Sequence, residues 1–145
     1  LLALATIDLD RFKAINDSLG HDAGDALLIE VARRLRAVVQ DSDDVFRLGG
    51  DEFAILFVDF PDEASVETVC RRIIDEVCTV VSFNGIEMST SPSIGIARFP
   101  RDGDSLGQLF KVADLALYEA KREGRNTWRW GRGPSSEQKA GTEIA

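Results

Sequence analysis

The chain has 145 residues, 44% of them hydrophobic and 29% charged, with a formal net charge of −8. That length suits one domain with a single core and no need of disulfide or metal staples, and the composition excludes a mostly disordered chain. The acidic balance argues against nucleic acid held along a broad surface, but not against a small anionic ligand whose charge a divalent cation neutralises locally.

Residues 1–9 read as a buried strand ending in the acidic run Asp8-Leu9-Asp10. The strand begins without a polar lead-in, so an upstream segment is expected. Residues 11–17 form a short helical turn, closed by SLGHDAGD at 18–25. Residues 26–39 are a helix, because Leu27, Leu28, Val31, Ala32, Leu35, Val38 and Val39 recur at helical spacing. Strands at 43–48 and 53–58 flank the tip Gly49-Gly50-Asp51-Glu52. A second helix opens at FPDEAS and carries the stripe Val66, Val69, Cys70, Ile73, Ile74 and Val77. Residues 85–90 and 93–99 look extended, with Pro92 marking a bulge or an edge between them. Ser105 and Gln108 resemble a capping box for a third helix, and GRNTWRW supplies a last strand with Trp128 and Trp130 alternating. Residues 131–145 have no periodicity and read as a flexible tail or linker after a domain at 1–130.

This order is β-α-β-β-α-β followed by another helix and strand. It points to an α/β (α+β) fold: a ferredoxin-like βαββαβ core on a mostly antiparallel sheet, its helices packed on one face, plus a C-terminal helix and strand. Cys70 and Cys78 lack metal-ligand spacing and read as small buried hydrophobes. No apolar run reaches the roughly 20 residues of a membrane span and no signal peptide is visible, so a cytoplasmic domain without membrane contact is expected.

The chemistry concentrates in the acids. Gly49 and Gly50 tolerate the positive φ of a hairpin tip, and two solvated acids beside them are the plainest explanation of the pattern. In a ferredoxin-like sheet, however, the first strand lies beside this hairpin. Asp8 or Asp10 then approaches Asp51 and Glu52, and such carboxylates repel unless a divalent cation sits among them; Mg²⁺ takes one or two carboxylates and completes its shell with phosphate oxygens and water. Strand alternation puts Asp8 and Asp10 on one face and Asp51 and Glu52 on opposite faces, so one hairpin acid ligates and the other does something else.

RLGGDEFAIL, TIDLDRFKAINDSLGHDAGDALL and YEAKREGRNTW, in this order, resemble the signature, the nucleotide-binding segment and the C-terminal phosphate-contacting segment of the GGDEF family, the diguanylate cyclase domains. The resemblance implies a cyclase that condenses two GTP into cyclic di-GMP across a homodimer, with Mg²⁺ or Mn²⁺ as cofactor and an upstream sensor domain in the full-length protein. It implies Asp8, the Leu9 carbonyl and Asp51 as metal ligands, and Glu52 assisting deprotonation of the attacking 3′-hydroxyl or engaging a second metal. Arg11, Phe12 and Lys13 would cradle phosphates, helped by Lys121 and Arg125, while Asn16 and Asp25 would read guanine. A carboxylate accepts from guanine N1–H and N2–H, which adenine does not offer. His21 matches a structural position in the family's turn. The other reading of the chain is a catalytically silent GTP-binding module that regulates an attached domain such as a phosphodiesterase.

Two departures from the family pattern stand out. Many members carry an RxxD site for product inhibition; here Gln40 replaces the Arg and Asp43 remains, and Gln lacks the charged planar fork that grips phosphate or guanine. The family's helical lead-in with its DxLTGLxNR segment also has no counterpart in these 145 residues.

Overall fold

The computed structural model describes residues 1–132. In chain order it contains β1 (Leu2–Leu9), α1 (Phe12–Leu19), α2 (His21–Val38), β2 (Asp44–Gly49), β3 (Glu52–Val58), α3 (Glu63–Val77), β4 (Val81–Phe83), β5 (Ile86–Met88), β6 (Pro92–Phe99), α4 (Leu106–Arg122) and β7 (Trp128–Trp130). The main sheet has the order β2-β3-β1-β6-β7, with β1 antiparallel to both neighbours and β7 parallel to β6. The ferredoxin-like core is therefore present, with the expected extra helix and strand.

β1 is central and nearly all apolar because both of its faces are covered. Ala3, Ala5, Ile7 and Leu9 join Leu27, Val31 and Leu35 of α2 and Val66, Cys70, Ile73 and Val77 of α3 in the larger core. Leu4, Ala54 and Ala97 turn the other way, onto Leu109, Val112 and Ala113 of α4. The expectation of helices on one face is corrected by this second layer. The two core helices share one face, and the additional helix takes the other. Burial pushes the Cys70 thiol up to about 12, as an inert packing residue requires.

Local chemistry explains the element boundaries. α2 starts at His21, earlier than the apolar stripe indicates, because Gly20 at φ 93° separates it from α1. Asp62 caps α3 by accepting from the Ser65 amide at 2.9 Å. Ser105 caps α4, but Gln108 accepts from the Asp104 amide at 2.8 Å instead of completing the box on Ser105. Pro92 opens β6, where a strand tolerates a missing N–H, and does not form a bulge. The small β4–β5 hairpin turns on Asn84 and Gly85, both at positive φ. Gly131, expected in the tail, still belongs to the sheet edge, its N–H donating to the Ile96 carbonyl at 2.6 Å. The rest of the expected tail, residues 133–145, lies outside the described residues.

Two internal contacts hold the layers in place. The buried Arg34 of α2 donates to the carbonyls of Glu76 and Thr79 at 2.8 and 2.7 Å, satisfying the open C-terminal end of α3. Gly95 of β6 lets α4 approach, since a Cβ there would lie 2.0 Å from the Ala113 carbonyl oxygen and 2.3 Å from the Leu117 nitrogen. Both obstacles are backbone, so α4 cannot yield locally. Gly95→Ala is expected to cost about 3 kcal/mol or more, read as a lower urea midpoint with an unchanged m-value.

Candidate functional site

The end of β1 assembles the site. Register places Asp8 opposite Glu52 on one side and Ser93 on the other. One residue on, the Leu9 amide donates to the Asp51 carbonyl at 3.2 Å, tying the hairpin tip to the strand. A strand residue projects its N–H and C=O to the same side, so the Leu9 carbonyl also faces the hairpin. Arg11 then takes a left-handed conformation (φ 60°, ψ 24°) and starts α1 with no side chain capping it. The first amides of α1 are thereby left available to an anion.

A cavity of about 170 Å³ lies at this junction, lined by Asp8, Leu9, Asp10, Arg11, Phe12, Lys13, Asp51, Lys121 and Arg125. Every residue singled out above for metal or phosphate, drawn from β1, α1, the hairpin tip and the end of α4, borders this one space. The Lys121 ammonium of α4 reaches across to form an ion pair with Asp8. Arg125, past the end of the helix, is held at φ 65°.

Asp10 borders the cavity but does not join the carboxylate group, contrary to the expectation from strand alternation. The strand ends at Leu9, and Asp10 turns to accept from the hydroxyls of Ser91 and Ser93 and from the Asn126 amide. It ties β1 to β6 and to the loop before β7. Its place beside Asp8 is taken by Asp114 of α4, which with Glu52, Asp8 and Lys121 lines a second cavity of about 250 Å³. Asp114 precedes Lys121 by seven residues, two helical turns, so a polar pair flanking the apolar stripe of α4 was the signal available in the sequence.

Burial raises the pKa of Asp51, and the neighbouring charge of Asp8 raises it further. Glu52 is raised by burial and then by Asp8, Asp51 and Asp114, and Asp114 by burial and Asp8. One oxygen of Asp8, Oδ1, is buried without a hydrogen-bond partner. Among the described residues no three acidic, histidine or cysteine side chains form a preassembled metal cluster. Two repelling carboxylates with an unpartnered oxygen, beside a backbone carbonyl, nevertheless fit a hard divalent cation that draws its remaining ligands from phosphate and water.

Asn16 lies against Gly24, the residue before Asp25 in α2. A Cβ on Gly24 would lie 1.7 Å from Asn16 Oδ1, so α1 and α2 touch here only through glycine. That Oδ1 is buried with no partner, while Asp25, exposed, borders a third cavity of about 400 Å³ with Leu28, Ala32, Arg36, Val45, Arg47 and Phe53. At the turn after α2, Asp43 accepts from the Gln40 amide at 3.1 Å and the Val58 amide at 3.0 Å, which binds the turn to β3. His21 is an exposed first-turn residue of α2. Trp128 and Trp130 pack against α3, under the guanidinium groups of Arg71 and Arg98, and the Trp130 indole donates to Glu67. No helix among the described residues is long and apolar enough to cross a membrane.

The carboxylate pair and the open helix start thus stand together at one end of a ferredoxin-like sheet. Comparison with known proteins gives the family: the profile described as "Diguanylate cyclase, GGDEF domain" matches residues 1–127. The chain belongs to the GGDEF family. It is 44% identical over 124 residues to the bifunctional diguanylate cyclase/cyclic di-GMP phosphodiesterase MucR of Pseudomonas aeruginosa, covering 86% of this chain and 18% of MucR. It is 41% identical over 125 residues to the cyclic di-GMP phosphodiesterase NbdA of the same organism, covering 86% of this chain and 16% of NbdA. The chain thus spans under a fifth of the length of these relatives. The crystal structure of the GGDEF domain of TpbB (YfiN), also from P. aeruginosa, superposes with a TM-score of 0.87 at 42% identity, over 90% of this chain and 82% of that one.

The raised carboxylates have a consequence for stability. A group whose pKa is higher folded than unfolded holds its proton more firmly in the native state, so stability falls as pH rises through the window above the ordinary values of 3.8 and 4.5. Without divalent cations, thermal midpoints are expected to decline across that window toward neutral pH. Asp51→Asn is expected to flatten the decline and raise the midpoint at neutral pH by a few degrees, measured by circular dichroism in chelator.

Proposed function

We propose that the chain is the catalytic domain of a diguanylate cyclase, in which two protomers each hold one GTP and together form cyclic di-GMP. Each 3′-hydroxyl attacks the partner's α-phosphate; two phosphodiester bonds form, and two pyrophosphates leave. The observation that carries this reading is the shared cavity, in which Asp8, Leu9 and Asp51 meet Arg11, Phe12, Lys13, Lys121 and Arg125. A ring closed by two such bonds needs both nucleotides, so turnover requires the homodimer.

In this reading Asp8, the Leu9 carbonyl and Asp51 hold Mg²⁺ or Mn²⁺, which when bound supplies positive charge against the phosphates and lowers the pKa of a nearby hydroxyl. The chain's own contribution is positioning and charge. The first amides of α1, at Phe12 and Lys13, receive phosphate oxygens, and Lys121 and Arg125 neutralise them from the other side. Glu52, whose pKa is raised by burial and by three neighbouring acids, accepts the proton of the 3′-hydroxyl more readily than an ordinary glutamate. Asn16 and Asp25 read guanine. The unpartnered Asn16 Oδ1 supports this, because a buried acceptor without a donor gains a full hydrogen bond from a ligand. Product inhibition through the Gln40–Asp43 turn is weak or absent, since Gln40 lacks the guanidinium and both Asp43 oxygens already serve the backbone. An upstream sensor domain, in a cytoplasmic signalling protein, would control the encounter of the two protomers.

The silent regulatory module is the second reading, supported by the phosphodiesterase named among the relatives. Incubating the chain with GTP and Mg²⁺ at several protein concentrations, and separating the nucleotides by chromatography, decides between them. Cyclic di-GMP is expected to form with steeper than linear dependence on protein, to fall at least about a hundredfold in Asp51→Ala, and to keep its rate when product is added. GTP binding without product would support the silent module. Gly24→Ala, which drives a methyl into the Asn16 amide, is expected to weaken GTP binding by about tenfold, measured by calorimetry.

A further inference from the structure

The β2–β3 ladder runs regularly from Asp44↔Leu56 to Arg47↔Phe53, then shifts register before Gly49↔Glu52. Beyond the shift the tip is two glycines at positive φ, 143° at Gly49 and 51° at Gly50, with open space where a Cβ would stand. Among the described residues nothing lies within 4 Å of where a Cβ would stand on either glycine, yet Asp51 must be aimed from this tip toward Asp8.

Two contacts supply the missing rigidity. The Arg47 guanidinium donates to the Gly50 carbonyl through Nε at 3.1 Å and through Nη2 at 3.0 Å. The Asp51 carbonyl accepts from the Leu9 amide at 3.2 Å. The Gly50 carbonyl belongs to the peptide plane that precedes the Asp51 Cα, and the Asp51 carbonyl to the plane that follows it. Each plane flanking Asp51 is therefore pinned by a different partner, and together they set the direction of its Cα–Cβ bond. Arg47 also lines the cavity that Asp25 borders, so one side chain spans that cavity and the carboxylate hairpin.

We infer that Arg47 is a positioning residue: its two-pronged grip on the Gly50 carbonyl aims Asp51 at Asp8 and thereby sets the geometry of the carboxylate pair. A planar fork performs this function and a point ammonium does not, so Arg47→Lys fails nearly as fully as Arg47→Ala. The inference rests on the proposed cyclase reading for its effect on turnover, but not for its effect on the hairpin.

The test compares Arg47→Ala and Arg47→Lys with Arg33→Ala, which removes a charge from an exposed pair on α2, away from the site. Backbone ¹⁵N relaxation of the chain, without metal or nucleotide, reads the hairpin directly. Order parameters at Gly50 and Asp51 are expected to drop from about 0.85 to below about 0.6 in both Arg47 variants and to stay high in Arg33→Ala. In the GTP assay, kcat is expected to fall about 10- to 100-fold with KM changed less than about twofold, as when a partner behind a metal ligand is lost. Millimolar guanidinium chloride is expected to restore part of the rate to Arg47→Ala and none to Asp51→Ala. A rigid tip in Arg47→Ala overturns the inference, and so does a rise in KM with kcat intact, which would make Arg47 a nucleotide contact. If the wild-type chain makes no cyclic di-GMP, the cyclase reading fails while the relaxation comparison still decides the role of Arg47.

Discussion

The pairing of β1 with β3 is the constraint on which the rest depends. These strands run antiparallel for seven consecutive pairs, from Leu2↔Val58 to Asp8↔Glu52. Because side chains alternate, a slip of one residue would send Asp8 to the other face and exchange every core residue of β1 with its opposite. The apolar side chains on both faces of β1 forbid that slip. Core packing thus fixes where the acids stand, and the Leu9 amide carries the same register one step further onto the hairpin. The acids need no attraction for one another to be held together; they are held by hydrophobic contacts that begin at the adjacent Ile7, Leu9 and Phe53.

The cost of that arrangement is electrostatic. A chain with a formal charge of −8 gathers Asp8, Asp51, Glu52 and Asp114 at one end of its sheet and leaves an oxygen of Asp8 without a donor. Among the described residues only Lys121 answers directly, by its ion pair with Asp8. Burial and mutual repulsion raise three of the four acids, and the cationic residues around the cavity, Arg11, Lys13 and Arg125, face outward where an anionic ligand would enter. In the proposed reading, the bound cation and phosphates would relieve this imbalance.

Much of this was legible in the residues. Amphipathic spacing located α2, α3 and α4, and the glycine pair located the hairpin, because these follow from local geometry and burial. The approach of Asp8 or Asp10 to Asp51 and Glu52 followed from the expected sheet order, while the addition of Leu9 and of the basic residues of α1 and α4 came from resemblance. What escaped the reading depends on tertiary contact. Asp10 leaves the alternation since Ser91 and Ser93 lie across from it, and Arg34 and Arg47 look like surface charges until the carbonyls they hold are in place. The β4–β5 hairpin is different: Asn84-Gly85 is a turn signal in the sequence itself, overlooked because the strands beside it are only three residues long.

The parallel pairing of β7 with β6 has a consequence for how the domain sits in a longer chain. β7 advances from the level of Ile94 to that of Ile96, and Gly131 continues in the same direction, away from Asp8. β1 starts at the level of Phe99, also remote from the acids. Entry and exit of the folded segment therefore lie toward one pole, and the carboxylates at the other. The described segment starts and leaves the sheet at levels displaced along β1 from the acids, at Leu2 and near Ala5, and neither point borders the cavity between Asp8 and Asp51.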